Sequence, residues 1–564
     1  MSASSSSRTY ADALGLLNTL IPNTKVHALF GKPQAPKPQT PRTAPAPGTS
    51  PPTPAPDPNL LAIPEMRAWL LRANLTPQRL SALSCVHIAG TKGKGSVAAL
   101  TTSALLAAGA ASGSGPGPGR VGTYTSPHLV SPRERIAIDG RPVSQTLFAA
   151  AFFELWDLLS ACPAAAADDD DALAGLPAGA KPFYFRFLTL LAFHIFLREG
   201  VRSVVLECGI GGEYDATNAV VASPPSPPRL DGRGHGGAAV TAAVITQLGV
   251  DHVAMLGDTP EAIAWHKAGI MKPGVPAFTR RPAGLPQPAV AAVLRARARE
   301  VGARLVEVPD DVVDAWPGVP AGAARLPGGA FQKRNQALAA LAAAHHLRVL
   351  EGRQQADADA DADARRLLRD VPETVVAGLR EATLRGRHEV LERGGVSWHL
   401  DGAHNTDSLA EVARWAAAVV GAAAAVEEEA PGATAGFVLV FNQQERDASA
   451  LLLGLLREME AAGVDVASRL DAAVFTRNDK TAAAAAAAGA GAEDAVDVAV
   501  QERCAAAFRE AYPGVEALVC RDLTEMKGAV DAVAGRNAKI RVLVTGSMYL
   551  VGNVIGLLEP DGEL

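Results

Sequence analysis

Ala89-Gly90-Thr91-Lys92-Gly93-Lys94-Gly95-Ser96 is the stretch that decides how this 564-residue chain is read. The residues before it, Cys85-Val86-His87-Ile88, form a short run that predicts a buried strand. Val97-Ala98-Ala99-Leu100 and an Ala-rich segment after it predict a helix. Strand, Gly-rich turn and helix, in that order, make the setting of a phosphate-binding loop. Glycines let successive N–H groups point into one concave nest, and the helix N-terminus adds partial positive charge. Lys94 would then reach the terminal phosphates of a nucleotide. The match to the general P-loop pattern is incomplete: Ile88 stands where that pattern has its first glycine, and Gly95 separates Lys94 from Ser96. An isolated Gly-Lys-Gly would read as a turn with a solvated lysine; the flanking strand and helix favour phosphate binding.

The chain is long enough for two or three domains and at least one large core. A net charge of −6 gives no sign of a general nucleic-acid binder. Cys85, Cys162, Cys208, Cys504 and Cys520 are scattered without a Cys-x-x-Cys pair, the pattern of a reduced intracellular protein without structural zinc. The longest apolar stretch, Trp415 to Val426, falls short of the ~18 residues of a membrane span. The first ten residues lack the apolar core of a secretory signal. A cytoplasmic protein is expected, and the Ser-rich start with one arginine leaves a mitochondrial address open.

Tyr10 to Leu20 carries apolar residues at helical spacing, and Glu65 to Arg72 reads as a further helix. Between them, 11 of the 26 residues from 33 to 58 are proline, which removes donors and fixes φ, so a disordered insertion is predicted. Biased composition marks further surface insertions at 112–119, 163–181, 223–237, 357–363 and 481–491. Strands are predicted at Val121–Tyr124, Val201–Glu207 and Ala239–Leu248, with a long amphipathic helix from Phe183 to Glu199. A second block from about Glu381 has strands at Val396–Leu400, Phe437–Phe441, Ala472–Thr476 and Arg541–Thr545. Strands alternating with helices predict an α/β fold: a parallel-sheet ATPase domain over 1–380 and a smaller Rossmann-like domain over 381–564. In such sheets ligands lie at the carboxyl ends of strands, where Ser126, Glu207 and His252 are predicted to fall. Taken singly, Ser126 reads as a turn cap before Pro127, Glu207 as a strand-end glutamate and His252 as a loop histidine.

Taken together, these segments resemble the Mur ligase family, most closely its folylpolyglutamate synthases of eukaryotic, fungal type. The resemblance rests on Gly90–Ser96, Thr125-Ser-Pro-His-Leu129, Arg133-Glu-Arg-Ile136, Phe185-Arg-Phe-Leu-Thr189 and Glu207-Cys-Gly-Ile-Gly-Gly-Glu-Tyr-Asp-Ala-Thr-Asn218. It continues through Leu248-Gly-Val-Asp-His252, Leu256-Gly-Asp-Thr259, Ile263–Ile270, Phe331-Gln-Lys-Arg-Asn335, Gly386-Arg387, Leu400-Asp-Gly-Ala-His-Asn405 and Val544-Thr-Gly-Ser547. What it implies is ATP-dependent joining of glutamate to a folate carboxylate, through an acyl phosphate. Gly90, Thr91, Lys92, Gly93, Lys94, Gly95 and Ser96 would hold ATP, with Arg334, Arg387 and Asp401. Ser126, Glu207 and His252 would ligate Mg2+, and a monovalent cation such as K+ is a further expected ion. Lys94, Lys267 and His404 would be catalytic, with Lys267 the lysine that many relatives carry as a carbamate. The active site would lie between the domains. Implied partners are tetrahydrofolate polyglutamates, L-glutamate and ATP, with no nucleic acid and no membrane segment, and a monomer is expected. Arg133 and Arg135 are candidates to pair with the acidic folate tail, since a guanidinium fork matches carboxylates; surface arginines solvating a loop are the equal alternative. Dihydrofolate synthase shares the loop, metal site and fold, but Phe185–Thr189 resembles the folylpolyglutamate synthase version. A nucleotide-binding regulator without catalysis is the rival from another class, and Lys94, Glu207, His252 and Lys267 argue against it.

Overall fold

The computed structural model describes residues 8–21, 61–111, 117–164, 176–222, 238–250, 252–281, 288–320, 322–326, 328–352, 364–429, 435–444, 447–480, 497–536 and 539–559. The Pro-rich stretch 33–58, the insertions at 223–237, 357–363 and 481–491, and most of those at 112–119 and 163–181 lie outside the described residues. The chain divides into two compact units, Met1–Pro127 with Arg133–Thr383, and His128–Pro132 with Leu384–Leu564.

The first unit is built on β1 (Ser84–Ala89), β2 (Arg120–Tyr124), β3 (Ile136–Ile138), β4 (Arg141–Pro142), β5 (Val201–Glu207), β6 (Val221–Ala222), β7 (Ala238–Ile245), β8 (Pro276–Arg281) and β9 (Arg304–Pro309). They form one sheet in the order β4-β3-β2-β5-β1-β7-β8-β9, with β6 beside β7. Pairing is parallel from β2 to β9, and antiparallel only where β3 and β4 close the edge. Central strands covered on both faces need apolar residues at every position, and β5 is buried at all but one. Helix Tyr184–Arg198 buries Phe187, Leu190, Leu191, Phe193 and Phe196 in this core. Phe187 stands 5.1 Å, centroid to centroid, from Phe152. Helix Lys94–Ala111 follows β1 directly, so the Gly-rich turn sits at the carboxyl end of a central strand.

The second unit carries β10 (Glu389–Arg393), β11 (Val396–Leu400), β12 (Ala435–Phe441), β13 (Ala472–Thr476), β14 (Glu516–Cys520) and β15 (Lys539–Thr545), in the order β10-β11-β15-β12-β13-β14. All pairs are parallel except β10 with β11. Alternation along β12 explains its continuous apolar run. Phe437, Leu439 and Phe441 pack on one face, Val438 and Val440 on the other. Leu129, from the short segment His128–Pro132, packs in this second core. No described helix is long and apolar enough to cross a membrane.

A buried histidine stitches the first sheet. His346 Nε2 lies 2.9 Å from Ser203 Oγ, whose hydroxyl donates to the Pro118 carbonyl at 2.6 Å, so the ring nitrogen donates to the serine. Nδ1 lies 2.6 Å from Thr241 Oγ1, whose hydroxyl donates to the Cys85 carbonyl at 3.0 Å. Burial pushes its pKa down from 6.5 to about 3. The folded value lies below the unfolded one, so the contribution is complete above pH 6.5 and is lost as pH falls toward 3. The slope is about 1.4 kcal/mol per pH unit for one such group. In urea melts between pH 7.5 and 5, His346→Gln is therefore expected to show a flatter fall in stability than wild type.

Candidate active site

Two glycines allow the phosphate loop its shape. Gly90 has φ +151 and Gly93 φ +88. A Cβ at Gly90 would lie 1.8 Å from Thr246 Oγ1, and one at Gly93 would lie 2.7 Å from Asn335 Oδ1. The loop is pressed against the segment that follows β7. Thr91 N and Lys92 N both donate to the Gln247 carbonyl, at 3.0 and 3.1 Å. Thr246 Oγ1 donates to the Lys92 carbonyl at 2.7 Å, and Thr91 Oγ1 to that of Gly249 at 2.9 Å. The N–H groups of Thr91 and Lys92 are thus committed to the strap and do not serve the anion nest that the sequence assigned to them. The nest narrows to the first turn of helix Lys94–Ala111, whose N–H groups have no partner within the helix.

Two lysines converge on this loop. Lys94 Nζ donates to the Gly90 carbonyl at 2.9 Å, and Lys267 Nζ donates to the same oxygen at 2.9 Å. Lys267 comes from helix Pro260–Ala268 and is only 1% exposed, so it is no surface lysine. An ammonium in such a place needs a compensating partner. Two lysine side chains thus meet on one backbone oxygen beside the N-terminus of helix Lys94–Ala111.

Glu207 closes β5, next to β1, and is 3% exposed. Its Oε2 accepts from the backbone N–H of Ser126 at 3.1 Å, which brings these two predicted residues together. The turn after it is held by Asp215, whose carboxylate accepts from the N–H groups of Ile210 and Thr217 at 3.0 Å each. Burial raises the Asp215 pKa, against the pull of these bonds. Behind the turn, His87 Nε2 lies 3.0 Å from Thr217 Oγ1 and 3.1 Å from Cys208 Sγ. Burial holds His87 neutral, with a pKa pushed down to about 3, and pushes the Cys208 thiol up. His252 is exposed, with φ 49, at the start of the short helix Val253–Leu256 and just beyond the strap. Asp251 lies outside the described residues. Arg334 is half-buried on helix Ala330–Leu350, which also supplies Asn335 against the loop.

The Arg133 expectation is corrected. Its side chain is buried, Nη1 donates to the Val143 carbonyl at 2.8 Å, and the guanidinium lies 5.7 Å from the Tyr10 ring centroid. A guanidinium so enclosed is part of the packing of the first unit. Arg135 stays half-buried, 5.6 Å from the Tyr184 ring centroid.

In the second unit Asp401 follows β11. Its carboxylate accepts from the N–H groups of Ala403 and His388, each at 2.9 Å. The His388 ring stacks on Trp415 at 4.6 Å and lies 3.7 Å from Asp401 Oδ2. Burial lowers its pKa, and the aspartate opposes that shift. Arg387 is half-buried beside it. His404 Nδ1 lies 3.0 Å from the Gly402 carbonyl, which can only accept, so Nδ1 carries the proton and Nε2 is the lone-pair nitrogen of the neutral ring. Neither the strap Thr246–Gly249 nor the buried His87 network was read as part of the site, because each is a contact across more than a hundred residues of chain.

The fold is mixed α/β, with one parallel-rich sheet in each of two units. No protein-family profile matches the chain. It is 36% identical over 518 residues to the folylpolyglutamate synthase of Neurospora crassa, covering 90% of this chain and 87% of that protein. Identity to a Saccharomyces cerevisiae folylpolyglutamate synthase is 35% over 513 residues, 89% of this chain and 82% of that one. The chain belongs to the folylpolyglutamate synthase family. Among solved structures, the Thermotoga maritima folylpolyglutamate synthase superposes with a TM-score of 0.56 at 21% identity, over 89% of this chain and 94% of that one. The Mycobacterium tuberculosis folylpolyglutamate synthase, solved with ADP and AMPPCP, gives 0.56 at 24%, over 88% and 95%. At such identities the likeness is one of fold.

Gly90→Ala forces the loop and the strap apart, and strain of this kind costs on the order of 1–3 kcal/mol. A lower thermal midpoint than wild type is expected in the absence of any ligand. An unchanged midpoint would show that the strap does not hold the loop.

Proposed function

We propose that this protein joins L-glutamate to the γ-carboxylate of tetrahydrofolate and its polyglutamates, with ATP as co-substrate, by way of an acyl phosphate. The observation that carries the reading is the convergence of Lys94 and Lys267 on the Gly90 carbonyl, in a chain of this family. A carboxylate is a poor electrophile at neutral pH. Transfer of the ATP γ-phosphoryl group to it creates an acyl phosphate with a good leaving group, which the glutamate amine then attacks, releasing phosphate. Gly93–Ser96 would seat the phosphates at the helix N-terminus, and Lys94 would move from the Gly90 carbonyl to the transferring group. Lys267, buried, would hold positive charge or, as a carbamate, negative charge at the same place.

Glu207 and the Ser126 hydroxyl offer hard oxygen donors, and a carboxylate as buried as Glu207 suits a divalent cation. We assign Glu207, Ser126 and His252 to hold magnesium, which when bound neutralises charge on the phosphoryl oxygens. Arg334, Arg387 and Asp401 are assigned to ATP and His404 to the reacting centre. A monovalent cation belongs to the same reading. So do the split of 1–380 for ATP binding and 381–564 for ligation, a monomeric state, and a cytoplasmic location with a mitochondrial share. The free state of all five cysteines supports a reducing compartment.

The deciding experiment incubates the protein with ATP, glutamate and either tetrahydrofolate or dihydropteroate, and reads products by mass spectrometry. Products heavier by whole glutamate units are expected with tetrahydrofolate and little or none with dihydropteroate; the opposite preference would make the protein a dihydrofolate synthase. In the same assay Lys94→Ala is expected to lose at least about 10²-fold in rate, as for loss of other preorganised electrostatic contacts. Glu207→Gln is expected to lose nearly all turnover while keeping the fold, checked by activity at limiting magnesium against the thermal midpoint.

A further inference from the structure

We infer that Gln443 is a positioning residue that fixes the His404 loop against the Gly546–Ser547 turn; the inference rests on the ligase reading above. Gln443 stands just past β12 and is 5% exposed. Its Nε2 donates to the Gly546 carbonyl at 3.0 Å and to the His404 carbonyl at 3.3 Å. Both acceptors are carbonyl oxygens, so only the NH2 end of the amide can face them, and its orientation is set by chemistry. The two loops it joins follow β11 and β15, which are neighbours in the sheet. Beyond the last paired residues the backbone ties them through Asp401 N to the Val544 carbonyl, 3.1 Å, and Gly546 N to the Ala403 carbonyl, 3.0 Å. The Gln443 amide extends this seam one step further, to the residue that carries the imidazole.

The amide is itself held in place. Asn442, its neighbour, is 2% exposed, and its Oδ1 accepts from Gln501 Nε2 at 2.8 Å while its Nδ2 donates to Asn478 Oδ1 at 2.8 Å. Asn553 Nδ2 donates to the Asn478 carbonyl at 2.8 Å. A row of amides thus anchors Asn442, and with it the backbone from which Gln443 reaches the two loops. The His404 ring takes its orientation from the Gly402 carbonyl within the same loop. Across the seam, Ser547 Oγ accepts from Tyr549 N and Leu550 N, so it caps helix Met548–Leu558. Removing the amide would leave the buried Gly546 carbonyl and the half-buried His404 carbonyl without this donor and free the seam to open.

The test compares wild type, Gln443→Met and Gln443→Glu in steady-state assays with tetrahydrofolate, glutamate and ATP. Methionine keeps the length and loses both donors. Its kcat is expected to fall about 10- to 100-fold, the effect of a small misplacement at a reacting centre, while KM for ATP and the urea midpoint stay near wild type. Glutamate at 443 would face two carbonyl oxygens as a carboxylate, and donates only when protonated. Its activity relative to wild type is therefore expected to be lowest at pH 7.5 and to recover toward pH 5.5. Wild-type kcat in Gln443→Met would overturn the inference. So would a loss of kcat matched by an equal loss of folded protein, or a relative pH profile for Gln443→Glu that is flat. Inactivity of the wild-type protein itself would instead refute the ligase reading, and the inference with it.

Discussion

One carbonyl oxygen, that of Gly90, receives both Lys94 and Lys267, and the geometry of the first unit depends on holding that oxygen in place. The strap after β7 does the holding, because its Gln247 carbonyl takes the next two N–H groups of the loop. A residue with a Cβ at Gly90 would strike Thr246, so loop and strap fit only with glycine there. β1 and β7 pair in parallel up to Ala89 and Ile245, with one shift of register after Cys85, and beyond the sheet an antiparallel bridge joins Lys92 to Gln247. The Gly-rich loop is therefore tied by backbone bonds to the segment after β7, just beyond the end of the sheet.

The second unit applies the same rule with different side chains. Its core is apolar on both faces of the sheet, and besides His399, Thr476 and Thr545 within the strands it gathers polar groups beyond the strand ends. There Asp401, His404, Gln443 and Ser547 follow β11, β12 and β15 within a few residues. Backbone bonds across the strand ends set the spacing of those loops, and the buried amides Asn442, Gln443 and Gln501 set their support.

The strands β1, β2, β5, β7, β11, β12, β13 and β15 were legible because parallel strands covered on both faces are apolar nearly throughout, whereas β3, β4, β6, β8, β9, β10 and β14, short or interrupted by charged residues and proline, were not read. Gly90–Ser96, Glu207 and Asp401 were legible because strand ends announce themselves where an apolar run meets glycine. Lys267 was not legible as a buried group, since its helix spacing is that of a surface lysine; only the fold brings it to Gly90 from 177 positions along the chain. Arg133 misled for the opposite reason. An arginine in a loop motif reads as available, yet the packing of Tyr10 and Val143 encloses it. Gln443 sits in an unremarkable polar stretch, and its value lies in two carbonyls supplied by loops far from it in sequence.

Three buried charges then share one logic. Lys267 is met by the Gly90 carbonyl, Glu207 by the Ser126 N–H, and Asp401 by the N–H groups of Ala403 and His388. In each case a backbone dipole meets a charge that burial would otherwise make very unfavourable. Glu207 and Asp401 stand at the ends of strands paired in parallel with their neighbours, so the sheets fix the two carboxylates, while helix Pro260–Ala268 carries Lys267 to the Gly90 carbonyl.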